Sequence, residues 1–175
     1  MNEREAREFI ASAVGDSGGV WADVGAGTGT FTRALRSLLR PGSRIYAVDN
    51  DPAAIAALKK LGEGVTAIEA DFARPFTLPD PSLLDGMLLA NALHFLPDAG
   101  EVLTRLALQL KPGGRVVIVE YDRRAANPWV PYPIESRRWP EIAESAGLGR
   151  PVVTARRRSR YAGELYVVAA SRASS

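Results

Sequence analysis

A glycine-rich segment, Asp23-Val24-Gly25-Ala26-Gly27-Thr28-Gly29, is the part of the chain with the clearest capacity for chemistry. It lies between a short apolar run and a stretch with helical periodicity, which predicts a strand-to-helix turn. Glycines in such a turn permit tight backbone bends and let a ligand approach the main chain closely. The N-terminus of the following helix supplies unpaired N–H groups, which favour negative charge. The segment therefore predicts a site for a nucleotide-like ligand.

Two features of this segment argue against a dinucleotide as that ligand. The dinucleotide-binding pattern GxGxxG would place its third glycine at position 30, but this chain has Thr30 there and its third glycine is Gly29. In addition, Asp23 would lie beside the pyrophosphate, and the two anions would repel each other. A carboxylate in this position favours a ligand that carries positive charge.

The order of residue types from Trp21 to Gly29 is apolar, apolar, Asp, apolar, Gly, any, Gly, any, Gly. It resembles the first motif of the class I S-adenosylmethionine-dependent methyltransferases, a family with a Rossmann-like fold. The resemblance implies S-adenosyl-L-methionine as the cofactor and S-adenosyl-L-homocysteine as the product. It also implies that Asp23 and the residues from Gly25 to Gly29 contact the cofactor.

Two further carboxylates lie where this family meets the nucleoside part of its cofactor. Asp49 ends the segment 46–49, where the family has an acidic residue that holds both ribose hydroxyls. A carboxylate suits this role because it can accept two hydrogen bonds from a vicinal diol. Asn50 is expected beside the cofactor, and Asp51 is expected to cap the next helix. The resemblance also implies that Asp71 accepts from the adenine amine and Phe72 lies at the ring, although a solvated loop carboxylate would show the same pattern at position 71.

The segment after the predicted fourth strand, 91–95, contains the only histidine of the chain. Asn91 is expected to line the cofactor or substrate pocket. His94 is the candidate catalytic residue, because an imidazole near the transferred methyl group could take a proton from a hydroxyl acceptor. The alternative, which the resemblance favours, is a structural histidine that packs or hydrogen-bonds beside the cofactor. Glu120 and Asp122 end the fifth strand, and the sequence assigns them no role.

Two later segments could contact a substrate. The loop 127–133 could supply an aromatic wall through Trp129 and Tyr132, or it could be a rigid crossover packed on the edge of the sheet. The densest basic run could contact phosphates, but alternate residues of a strand face opposite sides. Protection of an edge strand against aggregation explains this run equally well. The run consists of Arg156, Arg157, Arg158 and Arg160.

Strands that alternate with helices must position these residues. The predicted strands are 20–24, 44–48, 65–70, 85–90, 115–121, 152–161 and 164–170. The predicted helices are 3–14, 31–40, 52–61, 99–110 and 135–146. This order predicts an α/β fold with a doubly wound, mostly parallel seven-stranded sheet, helices on both faces and a C-terminal antiparallel hairpin turning at Ala162-Gly163.

Length and composition limit the classes that this chain can belong to. Its 175 residues, 46% of them hydrophobic, suit a single domain with its own core. We expect an N-terminal helix in 1–19, a cofactor-binding half in 20–122 and a substrate-side loop, helix and hairpin in 123–175. The absence of Cys and the presence of one His exclude disulfides, thiolate chemistry and a His-rich metal centre, so no metal site is expected. The net charge of +2 does not establish a nucleic-acid partner.

The sequence as a whole predicts a methyltransferase that acts on a small-molecule acceptor. The alternatives are an enzyme that methylates RNA or protein and a cofactor-binding partner subunit without activity. Because few residues are left for a lid, the substrate face is expected to be open, and a homodimer or a partner chain could cover it. Neither a signal peptide nor a membrane span is visible, so we expect a cytoplasmic protein without membrane contact.

Overall fold

The computed structural model of the chain describes residues 1–80, 83–123, 125–159 and 163–173. The strands are β1 (Val20–Val24), β2 (Arg44–Asp49), β3 (Val65–Glu69), β4 (Leu84–Ala90), β5 (Leu110–Asp122), β6 (Val152–Arg158) and β7 (Glu164–Ser171). The helices are α1 (Glu3–Val14), α2 (Thr30–Leu38), α3 (Pro52–Leu58), α4 (Ala99–Ala107) and α5 (Trp139–Ser145). Short 3-10 turns lie at Lys59–Leu61, Leu93–Phe95 and Ser136–Arg138.

All seven strands join one sheet in the order β3-β2-β1-β4-β5-β7-β6. Strands β1 to β5 run parallel to one another, and β7 lies antiparallel between β5 and β6. The predicted doubly wound sheet with a terminal hairpin is therefore confirmed. Because the strand order reverses between β1 and β4, the loops at their carboxyl ends diverge and leave a cleft, which is where open parallel sheets bind ligands.

Alternating residues of the central strands supply two separate cores. On β5, Val116 and Ile118 belong to the core under α4 and α5, whereas Val117 and Val119 belong to the core under α1 and α2. This alternation follows from the two-residue period of a strand, and it requires a strand that is apolar on both faces. Helices therefore cover both faces, as the sequence predicted, and the sheet can hold its end loops rigidly.

Several predicted boundaries are wrong by a few residues. The helix predicted at 31–40 ends at Leu38, because Leu39 is already extended. The helix predicted at 99–110 ends at Ala107, because Leu110 pairs with Leu84 and begins β5. Pairing resumes between Gly86 and Arg115, so the predicted turn at 111–114 is a bulge within β5.

Two further helices differ in detail from the prediction. The helix predicted at 135–146 begins as a 3-10 turn before α5, and the end of the helix predicted at 52–61 is the 3-10 turn at Lys59–Leu61. Asp51 caps α3 as predicted, since its side chain accepts a hydrogen bond from the Ala53 N–H at 2.9 Å. β6 ends at Arg158, and the predicted strand residue Tyr161 and turn residue Ala162 lie outside the described residues.

Two of the arginines on β6 have local partners on different sides of the strand. Arg156 forms ion pairs of 2.7 Å with Asp122 and with Glu164. Arg157 lies 3.2 Å from Glu5 of α1. These contacts fasten the terminal hairpin to its neighbours, so they favour the structural interpretation of the basic run over a phosphate-binding patch. Arg160, the last member of the predicted run, lies outside the described residues.

The described part of the chain contains neither a membrane-spanning helix nor a cluster of metal-ligating side chains. None of its helices has the length and apolar character needed to span a membrane. It also contains no group of three or more His, Asp or Glu side chains arranged to hold a metal ion.

Gly86 is expected to be essential for packing at the centre of the sheet. A Cβ atom at this position would lie 2.4 Å from the buried Trp21 ring on the neighbouring strand β1. Gly86→Ala is therefore expected to lower the free energy of unfolding by about 1–3 kcal/mol in urea denaturation, as overpacking does. The matched control is Gly100→Ala in α4, where a Cβ meets nothing within 4 Å. Equal stability of the two variants would contradict this account.

Candidate active site

Backbone hydrogen bonds tie the glycine-rich loop after β1 to the end of β2. The N–H groups of Gly25 and Ala26 donate to the Val48 carbonyl at 2.9 and 3.0 Å. The Gly27 N–H donates to Asp49 Oδ2 at 2.7 Å. These donors are therefore already used inside the protein and are not free to bind a ligand. The loop offers a ligand its backbone surface, and this surface lies beside the Asp49 carboxylate, which the Gly27 N–H holds in place.

Left-handed backbone at two glycines shapes this surface. Gly25 has a φ of 75°, and a Cβ on it would lie 2.7 Å from the Ala92 Cβ, so only glycine lets the loops after β1 and β4 meet. Gly27 has a φ of 53°, and a Cβ there would have no neighbour within 4 Å. The loop is therefore closed against protein on one side and open above Gly27, where a ligand can approach.

Asp23 lies beneath this loop as a buried carboxyl group with one unused oxygen. Thr32 donates to its Oδ2 at 2.6 Å, while Oδ1 is buried without a hydrogen-bond partner among the described residues. Burial raises the pKa of the Asp23 carboxyl to about 7; the hydrogen bond from Thr32 opposes this rise and the Asp49 carboxylate adds to it. A positively charged ligand would compensate the unpaired, buried Asp23 carboxyl oxygen, which agrees with the expectation from the sequence.

Asp23→Asn is expected to flatten the pH dependence of the free energy of unfolding between about pH 4 and pH 7. In native wild-type protein the raised pKa keeps a proton on Asp23 that the unfolded chain has released, so stability falls as pH rises through this window. Asn has no proton to release. The stability of the variant relative to wild type should therefore rise by on the order of 2–4 kcal/mol between pH 4 and pH 8.

Urea denaturation at several pH values would measure this effect. Asp98→Asn is the matched control, because Asp98 is exposed and its side chain makes no capping hydrogen bond. Parallel stability curves for wild type and Asp23→Asn would show that Asp23 is ionised in the native protein throughout this range.

Asp49 lies at the same end of the sheet, and two backbone donors orient it. Besides Gly27, the Asp51 N–H donates to Asp49, at 2.9 Å from Oδ1. Each carboxylate oxygen keeps a further lone pair for a ligand hydroxyl. The side chains of Asn50 and Thr28 are exposed near these turns. The structure thus brings the loops after β1 and β2 together as the sequence predicted.

The loop after β3 also reaches this region. The Phe72 ring lies 3.4 Å from the position of a Cβ on Gly25, so it borders the glycine-rich loop. The Phe72 carbonyl accepts from Arg105 at 2.8 Å, which fastens the loop to α4. Asp71 accepts from the Ala73 N–H at 3.0 Å and lies 3.5 Å from Arg74. Asp71 is therefore a turn-forming residue whose carboxylate is partly used within its own loop.

Asn91 directly follows β4 in an unusual conformation. Its φ is 54°, and among the described residues it is the non-glycine position with a positive φ. Its N–H continues the sheet by donating to the Val119 carbonyl at 2.8 Å, while its Oδ1 is buried without a hydrogen-bond partner in the described residues. Strain of this kind is concentrated at functional sites, which supports the predicted place of Asn91 in a pocket.

A buried pair, His94 and Glu120, connects the turn after β4 to the end of β5. His94 is 2% exposed and Glu120 is completely buried. Glu120 Oε2 lies 2.6 Å from His94 Nδ1, and Glu120 Oε1 accepts from the N–H groups of Leu93 and His94 at 3.0 and 3.2 Å. The sequence assigned Glu120 no role. The one signal that could have indicated a buried carboxylate was its position directly after the apolar run 116–119.

A cavity of about 560 Å³ opens beside this pair. The residues that matter for its chemistry are Asn91, His94, Phe95, Tyr121, Arg123 and Trp129. An aromatic wall with Trp129 was one of the two interpretations of the loop 127–133, and Trp129 lines this cavity. Tyr132 lines a neighbouring cavity instead. Phe95, Tyr121 and Arg123 were not anticipated, because only the folded chain brings the turn after β4, the end of β5 and the following loop together.

The loop that carries Trp129 is also rigid, so both interpretations of it hold. Asn127 Oδ1 accepts from the N–H groups of Trp129 and Val130 at 2.9 and 2.7 Å. The Val130 side chain is buried, and the Tyr132 N–H donates to the His94 carbonyl at 2.9 Å. The loop is thus a crossover packed on the protein and at the same time a wall of the cavity.

Comparison with known proteins points in the same direction as the site. A family model described as "Methyltransferase domain" matches residues 22–118, more than half of the chain. The Ubiquinone biosynthesis O-methyltransferase of Xylella fastidiosa (strain M23) is 30% identical over 125 residues, which is 68% of this chain and 48% of that protein. The chain spans about half the length of the curated relatives that it matches.

Solved structures show the same fold along nearly the whole chain. One is the 1,6-didemethyltoxoflavin-N1-methyltransferase of Burkholderia thailandensis with bound 1,6-didemethyltoxoflavin and S-adenosylhomocysteine. Its TM-score is 0.74 at 27% identity, and the match covers 99% of this chain and 78% of that one. Another is the complex of the Haloferax volcanii Trm112 methyltransferase activator with a methyltransferase. Its TM-score is 0.72 at 18% identity, and the match covers 98% of this chain and 88% of that one. Together with the match over residues 22–118, these likenesses show that the chain belongs to the class I S-adenosylmethionine-dependent methyltransferases.

Proposed function

We propose that this chain transfers a methyl group from S-adenosylmethionine to a nucleophilic atom of a small molecule. Membership of the family supports the reaction class. The cavity beside His94 supports the size of the acceptor, because about 560 Å³ lies within the range of small-molecule pockets. The cofactor supplies an activated methyl group on a sulfonium centre, and S-adenosyl-L-homocysteine is the product.

The residues present fit this cofactor. Asp49 would accept hydrogen bonds from the ribose hydroxyls, since it is already oriented by two backbone donors. The unpaired buried Oδ1 of Asp23 would favour the positive charge of the ligand. Gly27 would lie against it, because space is open there. Asn50, Asp71 and Phe72 are proposed at the nucleoside end, and Thr28 beside the loop.

The observation that carries the proposed mechanism is the pairing of His94, which lines the cavity, with the buried Glu120 behind it. Because His94 Nδ1 faces the carboxylate of Glu120 at 2.6 Å, a neutral ring keeps its proton on Nδ1 and leaves Nε2 as an acceptor. Nε2 can then take the proton of an acceptor hydroxyl or amine as the nucleophile attacks. Glu120 orients the ring and stabilises the positive charge that the ring acquires. We therefore propose His94 as the general base rather than as a purely structural residue.

A labelling experiment would test the proposed function. The purified protein is incubated with methyl-labelled S-adenosylmethionine and, separately, with a small-molecule extract, with RNA and with a protein fraction. We expect label in the small-molecule fraction, together with stoichiometric S-adenosylhomocysteine. Label in RNA or protein would contradict the small-molecule acceptor, and calorimetric cofactor binding without transfer to any fraction would indicate a non-catalytic subunit.

A further inference from the structure

We propose that the acceptor is a planar aromatic compound that carries both a nucleophilic hydroxyl and an acid group, and that Arg123 recognises the acid. This inference rests on the proposed function, since it names the substrate class of the same site. It follows from the chemistry of the cavity wall, which, among the described residues, combines aromatic faces with one cation.

The aromatic side chains of the wall surround the imidazole of His94. The Phe95 ring centroid lies 4.3 Å from that of His94, and the Tyr121 centroid lies 5.8 Å away. Phe95 is 55% exposed and Trp129 is 77% exposed, which is unusual for side chains of this size. Exposed apolar surface that lines a concave site marks a ligand-binding groove. A flat ring can contact several aromatic faces at once, so it covers this surface better than a branched or strongly polar ligand does.

The backbone that carries Trp129 is fixed by contacts within the protein. The side chain of Asn127 holds the backbone of Trp129, and Val130 is only 3% exposed beside it. The hydrogen bond from the Tyr132 N–H to the His94 carbonyl fixes the loop to the segment that holds the base. A wall that is already in place loses little conformational entropy on binding, which favours a rigid ligand of matching shape.

Arg123 gives the cavity its charge preference. Its side chain is half-buried in the wall, and within the described ranges it forms no ion pair or side-chain hydrogen bond. No carboxylate is among the described residues that line the cavity. The two nearest acidic residues of β5 are engaged elsewhere, Glu120 with His94 and Asp122 with Arg156. A guanidinium without an ion-pair partner favours a carboxylate ligand, which it can bind through two parallel hydrogen bonds.

The base and the cation line the same cavity and are connected through the end of β5. Glu120 fixes His94, and Arg123 directly follows the end of β5, where its N–H donates to the Tyr121 carbonyl at 3.0 Å and turns the chain. Because both groups line one cavity, a single aromatic ring can direct its hydroxyl to His94 and its acid to Arg123. Recognition of the acid would therefore also direct the hydroxyl to His94.

Binding of paired acids and esters would test the proposal without requiring turnover. The probes are 4-hydroxybenzoic acid, 4-hydroxycinnamic acid and the methyl esters of both, titrated by calorimetry into protein saturated with S-adenosylhomocysteine. For the wild type we expect at least one acid to bind about tenfold or more tightly than its ester. Arg123→Gln should remove this preference. It should weaken the binding of the acid and leave the affinity for the ester within about twofold of the wild-type value. Arg150→Gln, which changes an exposed arginine away from the cavity wall, is the matched control.

The possible failures have different meanings. If S-adenosylhomocysteine binds but neither acid does, or if acids and esters bind equally, the acceptor class is wrong and the proposed function stands. If Arg123→Gln weakens acid and ester alike, Arg123 shapes the cavity without recognising charge, and the proposal is overturned. If S-adenosylhomocysteine itself does not bind, the proposed function fails and this inference fails with it.

Discussion

Glu120→Gln is expected to lower kcat for methyl transfer to a hydroxyl acceptor by about 10²- to 10⁴-fold. The amide oxygen of Gln can still accept from the N–H groups of Leu93 and His94, so the turn after β4 keeps its backbone contacts. The amide nitrogen then replaces Oε2 opposite His94 Nδ1 and can only donate. The ring must therefore carry its proton on Nε2, where it can no longer act as the base.

This variant separates a role in proton transfer from a role in folding. The affinity for S-adenosylhomocysteine should remain within about twofold, because Glu120 does not contact the glycine-rich loop. A nitrophenol that is already ionised at the assay pH should be methylated by the variant at nearly the wild-type rate, since no proton has to be removed. His94→Gln should show the same pattern, and Glu101→Gln on the exposed side of α4 should have no effect.

Equal losses with hydroxyl and pre-ionised acceptors would assign the pair to substrate positioning. A wild-type rate for Glu120→Gln with the hydroxyl acceptor would instead restore the structural interpretation of His94, which the family resemblance favoured.

Asp49→Ala is expected to weaken S-adenosylhomocysteine binding by about 100-fold or more. The carboxylate would contribute two charge-assisted hydrogen bonds to the ribose, each contributing about 1.5–3 kcal/mol, and their loss corresponds to at least two orders of magnitude in Kd. The substitution also removes the acceptor that holds the Gly27 N–H. Calorimetric titration would measure the effect, and circular dichroism would show that the variant is folded.

The neighbouring carboxylate provides the matched control for this prediction. Asp51→Ala removes the cap of α3 and is expected to lower stability by about 1 kcal/mol, with cofactor affinity changed by no more than a few-fold. If Asp49→Ala is folded and binds S-adenosylhomocysteine with unchanged affinity, the assignment of the ribose site to this residue is wrong.

The sequence predicted the fold and the position of the glycine-rich loop because local patterns determine both. Glycines between an apolar run and a helix specify the turn after β1, and Asp51-Pro52 specifies the start of α3. The continuous apolar run 116–119 of β5 is typical of a strand buried on both faces. Elements with a strict period and clear end signals were therefore placed correctly, with errors of a few residues at their ends.

The sequence could not predict which polar groups become buried and which donors are used internally. Glu120 ends an apolar strand in a place where a solvent-facing carboxylate would look the same, and only the covering turn at Leu93–Phe95 makes it a buried partner of His94. The N–H groups of Gly25 and Ala26 turn toward Val48 because β2 lies beside β1, a relation between strands. Tyr121 and Arg123 line one cavity with Trp129, which is likewise a relation between segments that only the folded chain brings together.

The way Trp129 is held has a consequence for how this protein could acquire new substrates. The hydrogen bonds of Asn127 and the buried side chain of Val130 fix the loop, whereas the Trp129 side chain is 77% exposed and lies outside the hydrophobic cores. Substitutions at an exposed position without such contacts change stability by about 0.5 kcal/mol or less. Position 129 can therefore vary widely while the base and the cofactor loops stay in place, which makes it the natural starting point for directed evolution toward other acceptors.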